Sequence, residues 1–185
     1  IKEAPEKEDF GDLDILISGS VENLYKLIEY FEPDEIQRSG NIFSFNYKDF
    51  QIDFLQVGNI EMAQFFYNFG DIGSILGRIF STIGFRFGQK GLFLKIYDDF
   101  MYKGKNTEGE LFLSDTSSEI CNYFNYDYER WLQGFSSLNE CFEWIISSKY
   151  FRKSIFLGVV HEKIDHSIDG HPSAYLLSIC TTRVL

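Results

Sequence analysis

The sequence has few of the features that define several large protein classes. No apolar run approaches the ~18 residues that a membrane span needs. Proline occurs three times and hydrophobic residues make up 44% of the chain, which excludes collagen-like and disordered classes. The three cysteines, Cys121, Cys141 and Cys180, form no C-x-x-C pair, which argues against a zinc knuckle or a disulfide framework. We therefore expect a soluble, intracellular protein, cytoplasmic or nuclear, with no membrane partner.

Positive charge and the common phosphate-binding motifs are also scarce. The chain carries 28 acidic and 17 basic side chains, a net charge of −11, so broad nucleic-acid binding is disfavoured. The exception is the range 78–105, which contains six basic and two acidic residues. Within it, Arg78, Arg86 and Lys90 are candidates for a basic patch. The sequence contains no Walker A, G-x-G-x-x-G or G-x-S-x-G motif, which disfavours P-loop, Rossmann and α/β-hydrolase chemistry.

The hydrophobic pattern predicts alternating strands and helices, an α+β protein. A short apolar strand at 15–17 precedes an amphipathic helix capped by Ser20. Two aromatic, β-branched runs separated by two residues predict a hairpin, and a continuous apolar stripe predicts a helix over 70–83. The predicted hairpin strands are 41–47 and 50–57, followed after that helix by strand structure over 85–97, a polar linker at 103–110, and helices at 114–123 and 138–146.

Three carboxylates stand out for chemistry. Asp12 and Asp14 lie two residues apart in a predicted strand, so both point to one face. Adjacent carboxylates repel each other unless a cation lies between them, and Mg²⁺ prefers such oxygen ligands. Asp53 is a charged residue within an otherwise apolar strand, which is costly unless it is paired or metal-bound. The alternatives are a solvated acidic pair, a helix cap, or the D-x-D motif of glycosyltransferases, in which the apolar strand generally precedes the pair.

Three carboxylates on neighbouring strands suit two-metal phosphoryl or nucleotidyl transfer. Two Mg²⁺ ions, with Mn²⁺ as a substitute, would be held by Asp12, Asp14 and Asp53. Asp53 would lie nearest to the attacking hydroxyl and help to remove its proton.

Residues 7–17, Lys-Glu-Asp-Phe-Gly-Asp-Leu-Asp-Ile-Leu-Ile, resemble the catalytic strand of the DNA polymerase beta-like nucleotidyltransferase superfamily, closest to family X polymerases. Residues 50–54 look like the strand that bears its third carboxylate. Phe69-Gly70-Asp71 and the helix with Arg78 are similar to its nucleotide-pocket turn and the helix after it. Residues 113–120, with Tyr123, resemble its thumb segment. The resemblance implies a palm-like catalytic core at 1–105, a mixed sheet with helices on one face, and a smaller thumb-like part at 106–158. Composition changes after that, and residues 159–185 form a tail of uncertain structure.

The function that the resemblance implies is Mg²⁺-dependent transfer of a nucleoside monophosphate from an NTP or dNTP to a nucleic-acid 3′ end. Asp12, Asp14 and Asp53 would be the catalytic and metal-binding residues, and the nucleotide or nucleic acid would contact Phe69, Gly70, Asp71 and Arg78. Transfer to RNA, a small molecule or a protein stays open, as does a catalytically idle binding module. Residues 1–11 lack the family's triphosphate-binding Gly-Ser motif, the family's helix-hairpin-helix DNA-binding domain is absent from the sequence, and residues 131–185 extend past the expected end of the fold.

Overall fold

The computed structural model describes residues 1–2, 7–8, 10–97 and 107–156. Within these ranges the chain is an α+β protein with a four-stranded mixed sheet, a three-stranded antiparallel sheet and helices packed against them. The elements in chain order are β1 (Asp12–Ile17), α1 (Val21–Glu29), β2 (Ile36–Ser39), β3 (Ile42–Tyr47), β4 (Phe50–Gln56), α2 (Ile60–Tyr67), α3 (Ile72–Ser81), β5 (Phe85–Gly88), β6 (Gly91–Tyr97), β7 (Thr107–Ser114), α4 (Ser117–Phe124), α5 (Tyr128–Gln133) and α6 (Leu138–Ile146).

The first sheet has the strand order β1-β4-β3-β2. β3 and β4 form the predicted hairpin, and β1 pairs with β4 in parallel. Because side chains alternate along a strand, most apolar positions of the four strands share one face and pack against α1, whereas Leu16, Leu55 and Ile42 lie on the other face. This core contains Leu24 and Ile28 of α1 with Phe43, Phe45 and Phe54 of the sheet. The Ser20 hydroxyl caps α1, as predicted. The carboxylate positions therefore lie on the face away from α1.

The second core is built around α3 and is largely aromatic. The predicted helix over 70–83 is confirmed as Ile72–Ser81, and its apolar stripe is buried. Phe80 stacks on Phe124 of α4 with ring centroids 3.6 Å apart. A β-carbon on Gly73 would lie 1.9 Å from the backbone oxygen of Phe66. The absence of a side chain at this position therefore lets α3 approach the end of α2.

Several elements differ from the sequence prediction. The pattern gave no helix between the hairpin and residue 70, yet α2 covers Ile60–Tyr67, with Asn59 as its cap. The prediction of a polar linker over 103–110 is wrong for 107–110, which belong to β7 and pair with β6. The charge that made this segment look like a loop is accommodated on the strand surface, where Glu110 accepts a hydrogen bond from Arg86. β7 extends to Ser114, so the helix predicted to start at 114 starts at Ser117 instead. The sequence analysis did not predict α5.

The second sheet crosses the predicted domain boundary. β5 and β6 precede residue 105, whereas their neighbour β7 follows it. The predicted tail at 159–185 lies outside the described residues. Among the helices that the structure describes, none is long and apolar enough to span a membrane.

Asn59 links the two parts of the fold, which leads to a testable prediction. Its side-chain oxygen accepts the Met62 N–H, and its amide donates to the backbone oxygen and the carboxylate of Asp115, at 3.2 and 3.1 Å. We expect Asn59→Ala to lower the free energy of unfolding by about 1–2 kcal/mol, because cap and link are both lost. Asn59→Asp retains the cap acceptor but not the donor. Urea unfolding should rank wild type above both variants; equal midpoints for all three would contradict this role.

Candidate functional site

The strand register brings the three predicted carboxylates together. Asp14 on β1 lies directly beside Asp53 on β4, and Asp12 lies beside Gln51. Residues aligned in register share a face, and alternate residues of a strand do so too. Asp12, Asp14 and Asp53 therefore occupy one face of two neighbouring parallel strands. The spacing between these two strands is about 5 Å. The sequence predicted the three carboxylates on neighbouring strands; the structure brings them together through the direct β1–β4 pairing.

Two side chains, Gln51 and Tyr67, interact with these carboxylates. Gln51 donates from its Nε2 to Asp53 Oδ1 at 3.0 Å. Burial, with a smaller contribution from the Asp14 carboxylate, raises the pKa of the Tyr67 hydroxyl above its usual range. Tyr67 is the last residue of α2. α2 also contacts β1, the strand that carries Asp12 and Asp14.

The residues fit a hard divalent cation in donor type and backbone placement but not in side-chain arrangement. Carboxylate oxygens are the ligands that Mg²⁺ prefers. Asp12, Asp14 and Asp53 are all partly exposed, so their side chains have room to change rotamer. Across the described ranges, however, no three His, Cys, Asp or Glu side chains converge on one point as metal ligands. The site therefore supplies the ligands without holding them in a coordinating arrangement.

The predicted nucleotide-pocket turn follows α2 and has a strained backbone. Phe69 has φ of 63°, a left-handed conformation that costs a bulky residue about 1–3 kcal/mol. Its backbone N–H donates to the Lys2 carbonyl at 2.7 Å, and the Lys2 N–H donates to Asn68 Oδ1 at 2.8 Å. The backbone of Lys2 therefore holds this turn through two hydrogen bonds. Strain of this kind is typical of functional loops.

The three predicted residues of this turn have different environments. The Phe69 ring is only 6% exposed and packs between Trp131 and Phe135. Gly70 and Asp71 are exposed, and Asp71 precedes α3 without a side-chain capping bond. The turn thus presents Gly70 and Asp71 to solvent, while Phe69 anchors it in the aromatic core.

A cavity of about 440 Å³ lies behind this turn, between Lys2 and Phe69 on one side and the α5–α6 segment on the other. Arg130 and Glu140 form an ion pair across its wall at 2.8 Å. Glu140 also accepts the Ser136 N–H, and these hydrogen bonds lower the pKa of its carboxyl. Arg130 of α5 and Glu140 of α6, the two charged side chains that these helices contribute to the cavity wall, are therefore paired with each other.

The predicted basic patch is mostly engaged within the protein. Arg78 donates from its Nε to the Ile155 carbonyl at 3.1 Å and lies over the Phe156 ring. Arg86 pairs with Glu110 at 2.6 Å. Only Lys90 of the three has an exposed position without a described contact of this kind. The structure thus places Arg78 beside the 155–156 segment.

Sequence analysis missed the neutral residues that continue the carboxylate face. Ser44 on β3 lies beside Asp53, and Gln37 on β2 lies beside Ser44. Asn46 lies beside Gln51 in the adjacent row. The alternation of aromatic and polar residues in β3 contains this signal, but the register between strands is needed to connect it with the carboxylates.

Comparison of the chain with protein-family models, curated proteins and solved structures gives no match.

Proposed function

We propose that this protein is a Mg²⁺-dependent nucleotidyltransferase with a polymerase beta-like core, which moves a nucleoside monophosphate from an NTP or dNTP to a hydroxyl acceptor. The observation that carries the proposal is the parallel register of β1 and β4, with Asp14 beside Asp53 and Asp12 on the same face. Two-metal nucleotidyl transfer needs carboxylates in such proximity. The resemblance of residues 7–17 and 50–54 to the family's carboxylate strands gives independent support.

Asp53 has the position expected of the residue that receives the acceptor proton. It lies on the inner strand, between Asp14 on β1 and Ser44 on β3, so an acceptor over β3 would meet it first. Its carboxylate would draw the proton from the acceptor hydroxyl as the oxygen attacks the α-phosphorus and pyrophosphate leaves. Mg²⁺, when bound, would supply charge neutralisation for the triphosphate.

The strained turn supports a nucleotide position on the other side of the carboxylates. α2, which ends at Tyr67, contacts the edge strand β1 that carries Asp14, and Gly70 and Asp71 follow it as exposed residues. A nucleotide against this turn and an acceptor over β3 would meet at the carboxylates. The 3′ hydroxyl of a nucleic acid is the acceptor that the resemblance implies and stays a prediction.

The test is incorporation of labelled nucleoside monophosphate together with pyrophosphate release. Each NTP and dNTP is offered with Mg²⁺ or with EDTA, and with hydroxyl acceptors of several classes. We expect Mg²⁺-dependent incorporation in wild type and none in Asp12→Ala. Full activity in Asp12→Ala would contradict the assignment of the carboxylates.

A catalytically idle nucleotide-binding module is the second candidate. It is favoured because no three of the described His, Cys, Asp or Glu side chains converge as metal ligands. Nucleotide-dependent thermal protection without any incorporation would support this module, because a bound ligand stabilises the fold by mass action. Incorporation with Mg²⁺ would exclude it.

A further inference from the structure

We infer that the acceptor is a neutral carbohydrate hydroxyl and not a nucleic-acid strand, an inference that rests on the proposed function. The surface concerned is the neutral shelf, which we define as Gln37, Ser44, Asn46 and Gln51. These residues share the open face of the first sheet with the carboxylates. They extend it across three strands on the side of Asp53.

The geometry of the neutral shelf follows from the register. One row runs from Asp14 through Asp53 and Ser44 to Gln37, and a second from Asp12 through Gln51 to Asn46. With strands about 4.8 Å apart, Gln37 lies about 10 Å from Asp53 across the sheet. No position in these two rows carries an apolar side chain. The next row on this face, Leu16, Leu55 and Ile42, is apolar, so the polar surface consists of these two rows and begins at the residue that would receive the acceptor proton.

The chemistry of the neutral shelf matches a polyhydroxyl ligand. Amide side chains donate and accept hydrogen bonds, and the Ser44 hydroxyl does both as well, so they complement the vicinal hydroxyls of a saccharide. Gln51 already donates to Asp53, which leaves its amide oxygen for a ligand hydroxyl. A protein hydroxyl would present a single such group among apolar and backbone atoms.

The same surface lacks the cations that a phosphate backbone requires. In the four described strands of this sheet the sole basic residue is Arg38, and it lies over the Phe43 ring on the opposite, core-facing side. Lys48, in the β3–β4 turn, lies over Tyr47, which packs against Phe31 below the sheet. Contacts from Lys and Arg to phosphates supply most of the affinity for nucleic acid. These two basic side chains are therefore turned away from the neutral shelf.

The reaction inferred is transfer of the nucleoside monophosphate to a sugar oxygen. A bond forms between this oxygen and the α-phosphorus, while the bond from the α-phosphorus to the bridging oxygen of the β-phosphate breaks. Pyrophosphate leaves with the bonding electron pair, and the sugar hydroxyl proton passes to Asp53. The products are a sugar–nucleoside monophosphate diester and pyrophosphate.

The experiment supplies labelled NTPs and Mg²⁺ with a panel of neutral acceptors, namely methyl glycosides of the common hexoses, maltotriose and glycerol, in parallel with single-stranded DNA and RNA oligonucleotides. We expect labelled saccharide, lost in Asp53→Asn, with a rate that changes little from about 50 to about 200 mM KCl. Transfer to the oligonucleotides alone would overturn this inference and leave the proposed function in place. Transfer to neither class would overturn both.

Variants of the neutral shelf separate acceptor binding from catalysis. Gln37→Ala and Ser44→Ala should each raise KM for the saccharide about 3- to 10-fold, the loss of one neutral hydrogen bond, while kcat changes less than twofold. Asn122→Ala, an exposed amide on α4, is the matched control and should change neither. Unchanged KM in both shelf variants would overturn the assignment of this surface.

Discussion

Asp53→Asn is expected to slow nucleotidyl transfer by about 10²–10⁴-fold, the usual contribution of a positioned proton acceptor. Asparagine has the same shape but neither the negative charge nor the basicity that the acceptor proton requires. The variant should remain folded, because its side-chain oxygen still accepts from Gln51, as Asp53 Oδ1 does at 3.0 Å. It also removes repulsion from the neighbouring Asp14. The free energy of unfolding should therefore change by less than about 0.5 kcal/mol.

The comparison uses kcat from label incorporation beside a urea unfolding curve for each protein. Asp34→Asn is the matched control: the same substitution at an exposed residue between α1 and β2, distant in sequence from the carboxylates. It should retain wild-type kcat and stability. If Asp53→Asn retained more than about a tenth of wild-type kcat, the proton-acceptor role of Asp53 would be wrong.

Gly73→Ala should have the largest effect on stability. The added β-carbon would lie 1.9 Å from the Phe66 backbone oxygen and 2.9 Å from its backbone carbon, so α2 and α3 must separate. Overpacking against backbone, which cannot rotate away, should destabilise the protein by about 3 kcal/mol. For a chain of this size, that corresponds to a fall of roughly 6–12 °C in Tm.

Gly58→Ala is the control for this substitution. A β-carbon at Gly58 meets no atom within 4 Å, so its Tm should stay close to that of wild type. Differential scanning calorimetry on the three proteins provides the comparison. An equal Tm for Gly73→Ala and Gly58→Ala would show that the described α2–α3 contact does not form in solution.

Local pattern was sufficient for much of the fold. The apolar stripe of α3, the Ser20 cap and the β3–β4 hairpin each follow from short-range periodicity and turn chemistry. These features depend on neighbours within a few residues. β7 was missed because a strand with charged residues on one face resembles a loop until its partner is known. Its stability comes from pairing with β6, which no local pattern encodes.

The candidate site shows the same division. Residue type and alternation identified Asp12, Asp14 and Asp53, but only the strand order showed that Asp14 and Asp53 are direct neighbours. The contacts of Arg78 could not be predicted, because they come from Ile155 and Phe156, more than 70 residues later in the chain. Long-range pairing, not residue preference, determines both outcomes.

The most direct test of the central claim is Mn²⁺ binding measured by electron paramagnetic resonance in the presence of a non-hydrolysable NTP analogue. Wild type is compared with the double variant Asp12→Asn/Asp14→Asn and with Asp34→Asn. Carboxylate ligation predicts that wild type and Asp34→Asn reduce the free Mn²⁺ signal equally, beyond the nucleotide analogue alone, while the double variant does not. Equal binding by all three proteins, or no binding by wild type, would contradict the assignment of these carboxylates as the metal site.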